Sequence, residues 1–226
     1  MGGVSGELTR SQKRAQRTLR SLLEAGEHVF GANGLQQVTI AEITDRADVA
    51  LGSFYNYFEN RDALLDAVLD EAFESQLKLS RIMLRDDTSP ANRLTSAIAS
   101  QIHRARLDPA WASFSDSAAL GRRWPHEDWR TKALETIERG RALGVFEIDD
   151  VAWTAELVLA LSRSIFDPVN RGRSWSLEDE LTAVLNSLFR LVGAPADIAD
   201  EEIAWAVAMP IDLDLVERVR SSESTT

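Results

Sequence analysis

Thr39 to Phe58, which reads TIAEITDRADVALGSFYNYF, constrains the fold more than any other stretch of the chain. Thr39 and Glu42 form a capping box: the Thr hydroxyl accepts from the amide three residues on, and the carboxylate reaches back to the Thr amide. Val38 and Ile43 stand where a hydrophobic staple places its two apolar residues. The spacing therefore predicts a helix starting at Ile40 with Ile40, Ile43 and Ala47 facing inward. The pattern breaks at Asp48-Val49-Ala50 and resumes over Leu51 to Phe58, with Phe54 and Phe58 one turn apart. Two short helices joined by a three-residue turn are a helix-turn-helix pattern. Asp48 suits such a turn, because Asp tolerates positive φ better than most residues.

The flanking sequence extends the helical reading in both directions. From Leu19, the residues Leu22, Leu23, Gly26, Val29 and Phe30 fall at helical spacing, and Gly31 and Gly34 read as a stop. Asn60 caps a longer helix from Arg61, whose inward stripe is Leu64, Leu65, Val68, Ala72 and Leu79. Helical stretches then run over 91–106, 110–121, 127–143, 150–166 and 176–192, separated by Pro90, Pro109, Pro125, Gly144, Pro168 and Gly193. No alternating run supports a strand, so the predicted class is all-α: a three-helix N-terminal unit followed by a larger helical domain. The expected division is 1–62, 63–194 and an acidic extension over 195–226.

Composition narrows the function classes. The chain has 226 residues, of which 44% are hydrophobic and 27% charged, which is ordinary for a soluble globular protein. Without cysteine there is no disulfide scaffold, zinc ribbon, iron–sulfur cluster or thiol nucleophile. The first 20 residues carry no apolar stretch ahead of a cleavage site, and no segment approaches a membrane span, so a cytoplasmic location without membrane contact is expected. His-Glu-x-x-His, Gly-x-Ser-x-Gly and phosphate-binding Gly-rich loops are missing, and the three histidines are scattered, so neither catalysis nor a cofactor or metal is expected.

The net charge of −11 argues against a surface that grips nucleic acid throughout. Its distribution is uneven. Residues 1–20 set Arg10, Lys13, Arg14, Arg17 and Arg20 against Glu7 alone, whereas residues 195–226 set two Arg against eight acids. Only the N-terminal end can face a polyanion; the other reading of it is a solvated leader.

The stretch Thr39 to Leu65, TIAEITDRADVALGSFYNYFENRDALL, resembles the DNA-binding signature of the TetR family of bacterial transcriptional regulators. The preceding helix with Gly31 and Gly34 is similar to that family's first helix, and Glu138 to Phe146 to its seventh. The resemblance is specific over about residues 12–66 and rests on helix order and length beyond. It implies a homodimer, a three-helix DNA-binding unit, and a helical domain holding a small-molecule pocket.

A recognition helix must show short polar or aromatic groups to the major groove while its other side is anchored. With Phe54 and Phe58 inward, the outward candidates are Ala50, Leu51, Ser53, Tyr55, Asn56 and Tyr57, and Gly52 permits close backbone approach. The alternative for the two Tyr residues is core packing. By resemblance, Thr39, Tyr55 and Tyr57 contact phosphates or sugars, Arg61 meets a phosphate, and Ser53 and Asn56 reach base edges. Two positions depart from the family. Leu51 stands where Lys or Arg is common, and offers an apolar group to a thymine methyl instead. Asp48 stands where Gly is common.

By the same resemblance, the 150–166 and 176–192 helices dimerise. Trp153, Leu157 and Leu161 on the first and Leu181, Leu185, Leu188 and Val192 on the second are the expected interface, and a purely intramolecular core is the competing reading. The expected pocket lies among Ile98, Ile102, Trp111, Phe114, Trp124, Trp129, Leu157, Leu161 and Phe166, for an apolar or aromatic effector. Segments 200–209 and 212–220 either form short docked helices or fray. The expected function is a homodimeric repressor released from a palindromic double-stranded operator by a small molecule. The alternative is a helical dimer acting through protein partners with weak or no specific DNA binding.

Overall fold

A computed structural model describes residues 9–85, 88–120 and 127–221. Among them it is all helix: α1 (Arg10–Asn33), α2 (Ile40–Ala47), α3 (Leu51–Phe54), α4 (Arg61–Ile82), α5 (Pro90–Leu107), α6 (Pro109–Leu120), α7 (Glu127–Ala142), α8 (Val151–Ser164), α9 (Pro168–Arg171), α10 (Leu177–Leu191), α11 (Ala196–Ala208) and α12 (Leu213–Ser221). No described helix is long and apolar enough to cross a membrane.

Local signals set the starts of these helices. Three capping boxes are formed, by Thr9 with Gln12, Thr39 with Glu42 and Ser176 with Asp179. Asn60, Ser89 and Asp150 cap α4, α5 and α8 by accepting from the amides of Ala63, Asn92 and Trp153. Because Thr9 caps α1, that helix begins nine residues before its apolar stripe. Arg10 to Arg20 are therefore part of a long helix rather than a separate leader.

Gly31 does not end α1. It lies inside the helix, where an added Cβ would sit 2.8 Å from the backbone nitrogen of Phe114 and 3.2 Å from its Cα. Lacking a Cβ lets the backbones of α1 and α6 meet, and Ser117 Oγ donates to the Gly31 carbonyl at 3.3 Å. The true stop is Gly34, at φ 79°, whose amide bonds to the Phe30 carbonyl. This contact fastens the N-terminal helices to the larger domain. A single apolar cluster consequently runs from Leu22 and Phe54 through Ile98, Trp111 and Phe166 to Leu188 and Ala206. The expected division after residue 62 falls in the first turn of α4, which passes unbroken from one half to the other.

The C-terminal extension is docked. On α11, Ala199, Ile203 and Ala206 are buried, with Trp205 and Val207 partly so. Val216 and Val219 of α12 form a small cluster with Leu79 of α4. Arg220 then bridges two other elements, donating to Glu27 of α1 and to Asp108 at the end of α5, both at 3.0 Å.

On α10, the stripe Leu181, Leu185, Leu188 and Val192 is completely buried within the one chain. These four side chains fill the monomer's core beneath α5, α8 and α11 and cannot also face a partner, which corrects that part of the expected interface. On α8 the outcome is reversed: Trp153 is 63% exposed, and Leu157 and Leu161 are half-buried.

Candidate nucleic-acid interface and effector cavity

The reading head is α2, a tight turn and α3. Thr39 donates its hydroxyl to Glu42 Oε2 at 2.8 Å and accepts from the Glu42 amide at 3.3 Å. The Thr39 amide and hydroxyl hold the Glu42 carboxyl below its usual range. Val38 and Ile43 are buried as the staple requires. Asp48 takes the left-handed conformation at φ 54°, turning the chain into α3. Helix assignment ends at Phe54, but the amides of Tyr57 and Phe58 still bond to the Phe54 carbonyl at 2.9 and 3.1 Å, so the helical path continues to Phe58. Phe54 is fully buried and its ring packs on Phe58.

This anchorage leaves Leu51 52% and Tyr55 57% exposed, with Ala50, Gly52 and Asn56 also facing solvent. Tyr55 stands edge-on to Phe54, which steers its ring without covering it. On α1, Arg10, Lys13, Arg14 and Arg17 recur at three- and four-residue intervals on exposed turns. Such spacing gathers the four cations onto one helix face, over a span of about 10 Å. Arg20 continues the edge of that face one turn on and pairs with Glu24 at 2.9 Å.

The second feature is a cavity of about 530 Å³ between α4, α5, α7 and α8. Leu77, Leu94, Ala97, Ile98, Val158 and Leu159 supply apolar wall, together with the Trp129 ring, which packs on Phe73. Gln76, Gln101 and Ser162 are the buried polar members of the lining. Ser162 donates to Gln101 Oε1 at 2.6 Å, and Gln76 Nε2 donates to Ser100 Oγ at 2.8 Å. Arg81, Arg93, Lys132 and Arg139 line it as well, against the carboxylate of Glu135. No cluster able to hold a metal ion occurs among the described residues.

Residues 22–68 match the family described as bacterial regulatory proteins, tetR family. The chain is 28% identical over 154 residues to the A-factor receptor protein of Streptomyces griseus, a match covering 66% of this chain and 54% of that protein. It is 33% identical over 78 residues to the HTH-type transcriptional regulator TtgR of Pseudomonas putida, covering 34% of this chain and 37% of that one. The chain thus matches about half or less of the length of these relatives.

Residues 22–68 are a TetR-family segment.

The chain's fold agrees. RolR, solved in complex with resorcinol, superposes with a TM-score of 0.59 at 25% identity, covering 90% of this chain and all of RolR. A gamma-butyrolactone receptor described as ArpA-like superposes at 0.64 and 17% identity, over 92% of this chain and all of that one.

Within this chain the expected site residues are distributed unevenly. Ala50, Leu51, Gly52, Tyr55 and Asn56 share the exposed end of the head, while Ser53 is half-buried and Tyr57 packs partly against the core. Arg61 is committed elsewhere: it donates to the Leu35 carbonyl at 2.7 Å and to the Asp62 carboxylate, tying α4 to the loop before α2. The hydroxyl proton of Thr39 is spent on the capping box.

Of the expected pocket residues, Ile98 and Trp129 line the cavity. Ile102, Trp111, Phe114 and Phe166 are core, with Trp111 edge-on to Phe166 at 5.2 Å. Leu157 and Leu161 lie on α8 outside the lining, and Trp124 is outside the described residues. Sequence reasoning missed the polar wall. The signal was present in α4, where Ser75 and Gln76 interrupt the inward stripe between Ala72 and Leu79 and are both buried.

Proposed function

We propose that the protein is a homodimeric transcriptional repressor that reads a palindromic DNA operator and releases it when a small apolar or aromatic molecule occupies the α4–α5–α7–α8 cavity. The observation that carries the reading is the exposed end of the head, with Leu51, Tyr55 and Asn56 displayed on a helix anchored by a fully buried Phe54. An α-helix so mounted fits the major groove. The cationic face of α1 supplies the phosphate-binding charge that the net balance of −11 otherwise lacks.

Two copies place their heads about 34 Å apart in successive major grooves. The dimer contact is the exposed face of α8, centred on Trp153 with Leu157 and Leu161 at its edge. An effector couples to DNA through α4, which lines the cavity at Gln76 and starts at the head with Asn60 and Arg61. Release requires the ligand to favour the non-binding arrangement by its own differential affinity, typically about 1–3 kcal/mol. The structural neighbour RolR, 25% identical, holds resorcinol, a small aromatic molecule.

The test is selection of bound sequences from a random duplex pool at a stated salt concentration, followed by the Tyr55→Ala variant on the selected site. An enriched inverted repeat, bound more weakly by a variant of unchanged helicity, supports the reading. No enrichment by a folded dimer refutes it in favour of action through protein partners.

A further inference from the structure

Gln76 of α4 is 1% exposed and forms part of the cavity wall. Its amide orientation is set by its neighbour. Ser100 Oγ donates its single proton to the Ala97 carbonyl at 3.1 Å and accepts from Gln76 Nε2 at 2.8 Å, which turns the NH2 side of the amide toward it. Gln76 Oε1 is then left without a donor from the protein. A buried acceptor in this state is costly, and a ligand that satisfies it gains what the empty site lacks.

The neighbouring groups restrict what that ligand can bring. Gln101 and Ser162 are already bonded to each other, and Gln101 Nε2 donates to the Ala97 carbonyl. An amide would deliver a carbonyl needing a donor of its own, whereas a hydroxyl delivers the one proton required. A protonated amine is disfavoured by the charges around the cavity, where four cations face one carboxylate in a protein whose overall charge is −11. Exposed Arg81, Lys132 and Arg139 instead favour an anion at the solvent end. The apolar part of the wall is aliphatic side chains with the Trp129 ring.

We infer that the cavity selects a hydroxylated apolar carboxylate, its hydroxyl donating to Gln76 Oε1 and its carboxylate lying among Arg81, Lys132 and Arg139. This rests on the reading of the cavity as the effector site and names the class of molecule that fills it. Gln76 is then the specificity-determining residue, because a site built to bond a hydroxyl rejects the analogue lacking it.

The test uses the full chain and calorimetric titration with matched sets on two scaffolds: 10-hydroxydecanoate, decanoate and 1,10-decanediol, and 4-(4-hydroxyphenyl)butanoate with its deoxy acid and its methyl ester. On at least one scaffold the hydroxy acid should bind tenfold or more tighter than the deoxy acid, and tenfold or more tighter than the uncharged analogue. Gln76→Leu should abolish the hydroxyl preference, binding the deoxy acid as well as or better than the hydroxy acid. Lys132→Gln with Arg139→Gln should abolish the carboxylate preference and leave the hydroxyl preference in place. Equal binding of hydroxy and deoxy acids by the unmodified protein, a hydroxyl preference that survives Gln76→Leu, or no binding on either scaffold would each overturn the inference. The comparison within the unmodified protein decides even if Gln76→Leu fails to fold. Selection of an operator without compound separates the two claims: a motif with no ligand preference sinks only the inference, and loss of both sinks the regulator.

Discussion

Arg220→Ala should destabilise the protein by an amount that depends on pH. Its Nη2 and Nη1 each lie 3.0 Å from a carboxylate oxygen, of Glu27 and Asp108, and the Glu27 side chain is only 8% exposed. Burial still outweighs attraction at Glu27, whose pKa is pushed from 4.5 up to about 7, with Arg220 and then Arg104 pulling it back down. For an acid raised in this way, stability is fully present below the unfolded value of 4.5 and is lost as pH climbs through the folded value. At about 1.4 kcal/mol per pH unit, keeping Glu27 charged at pH 8 costs about 3 kcal/mol. Removing Arg220 raises that cost only to a ceiling, because the folded chain can protonate Glu27 instead, at about 5 kcal/mol at pH 8 on the same scale. The share of the penalty that passes through Glu27 is therefore at most the single pH unit between 7 and 8, about 1 kcal/mol at pH 8. At pH 5, where Glu27 keeps its proton with or without Arg220, that share is close to zero. Losing the Asp108 bond and the packed arginine stem adds about 1 kcal/mol at either pH. Urea unfolding at both pH values, for the parent protein, Arg220→Ala, Glu27→Gln and the double variant, measures each quantity. The expected penalty for Arg220→Ala is about 2 kcal/mol at pH 8 and about 1 kcal/mol at pH 5, and the difference should vanish in the Glu27→Gln background. An equal penalty at the two pH values would refute the assignment of Glu27 as the titrating group.

Three further outcomes are expected. Gly31→Ala gains about 1 kcal/mol of helix propensity but drives a Cβ to 2.8 Å from backbone that cannot step aside, so it should lower stability by about 1–2 kcal/mol net and shift the melting temperature down; an unchanged or raised melting temperature would show that α1 and α6 slide freely. Replacing Arg10, Lys13, Arg14 and Arg17 with Gln should weaken operator binding and flatten its log–log salt dependence by about 0.9 for each phosphate that the protein no longer neutralises, whereas an unaltered slope would mark the face as a bystander. Trp153→Glu on the exposed face of α8 should give a folded monomer by sedimentation, and a variant that still sediments as a dimer would place the interface elsewhere.

What could be read from the sequence is what is decided locally. The boxes at Thr39 and Ser176, the staple of Val38 with Ile43 and the Asn60 cap each depend on residues within one turn, so the helix starts and the head were legible. Gly31 was misread because its partner is the backbone of Phe114, more than 80 residues away. The stripe on α10 announced a buried face correctly, but periodicity does not say whether one's own chain or another copy does the burying. Counting aromatics drew the expected pocket toward Trp111 and Phe166, which pack on each other. The real cavity is outlined by aliphatic and polar side chains and the Trp129 ring on four helices, and nothing in the order of the sequence brings those together.

The contact from Arg220 to Glu27 joins residues 193 apart in the chain. Synthesis runs from the N-terminus at about 5–20 residues per second, and early segments begin to fold as they emerge. The reading head therefore has its caps, staple and Phe54 anchor long before α12 exists, while the junction behind it waits with Glu27 facing Arg104 and no Arg220. The order of manufacture makes a nascent protein whose head is shaped before its seat on the rest of the molecule is locked, and the lock is supplied by a side chain made 193 residues after its partner.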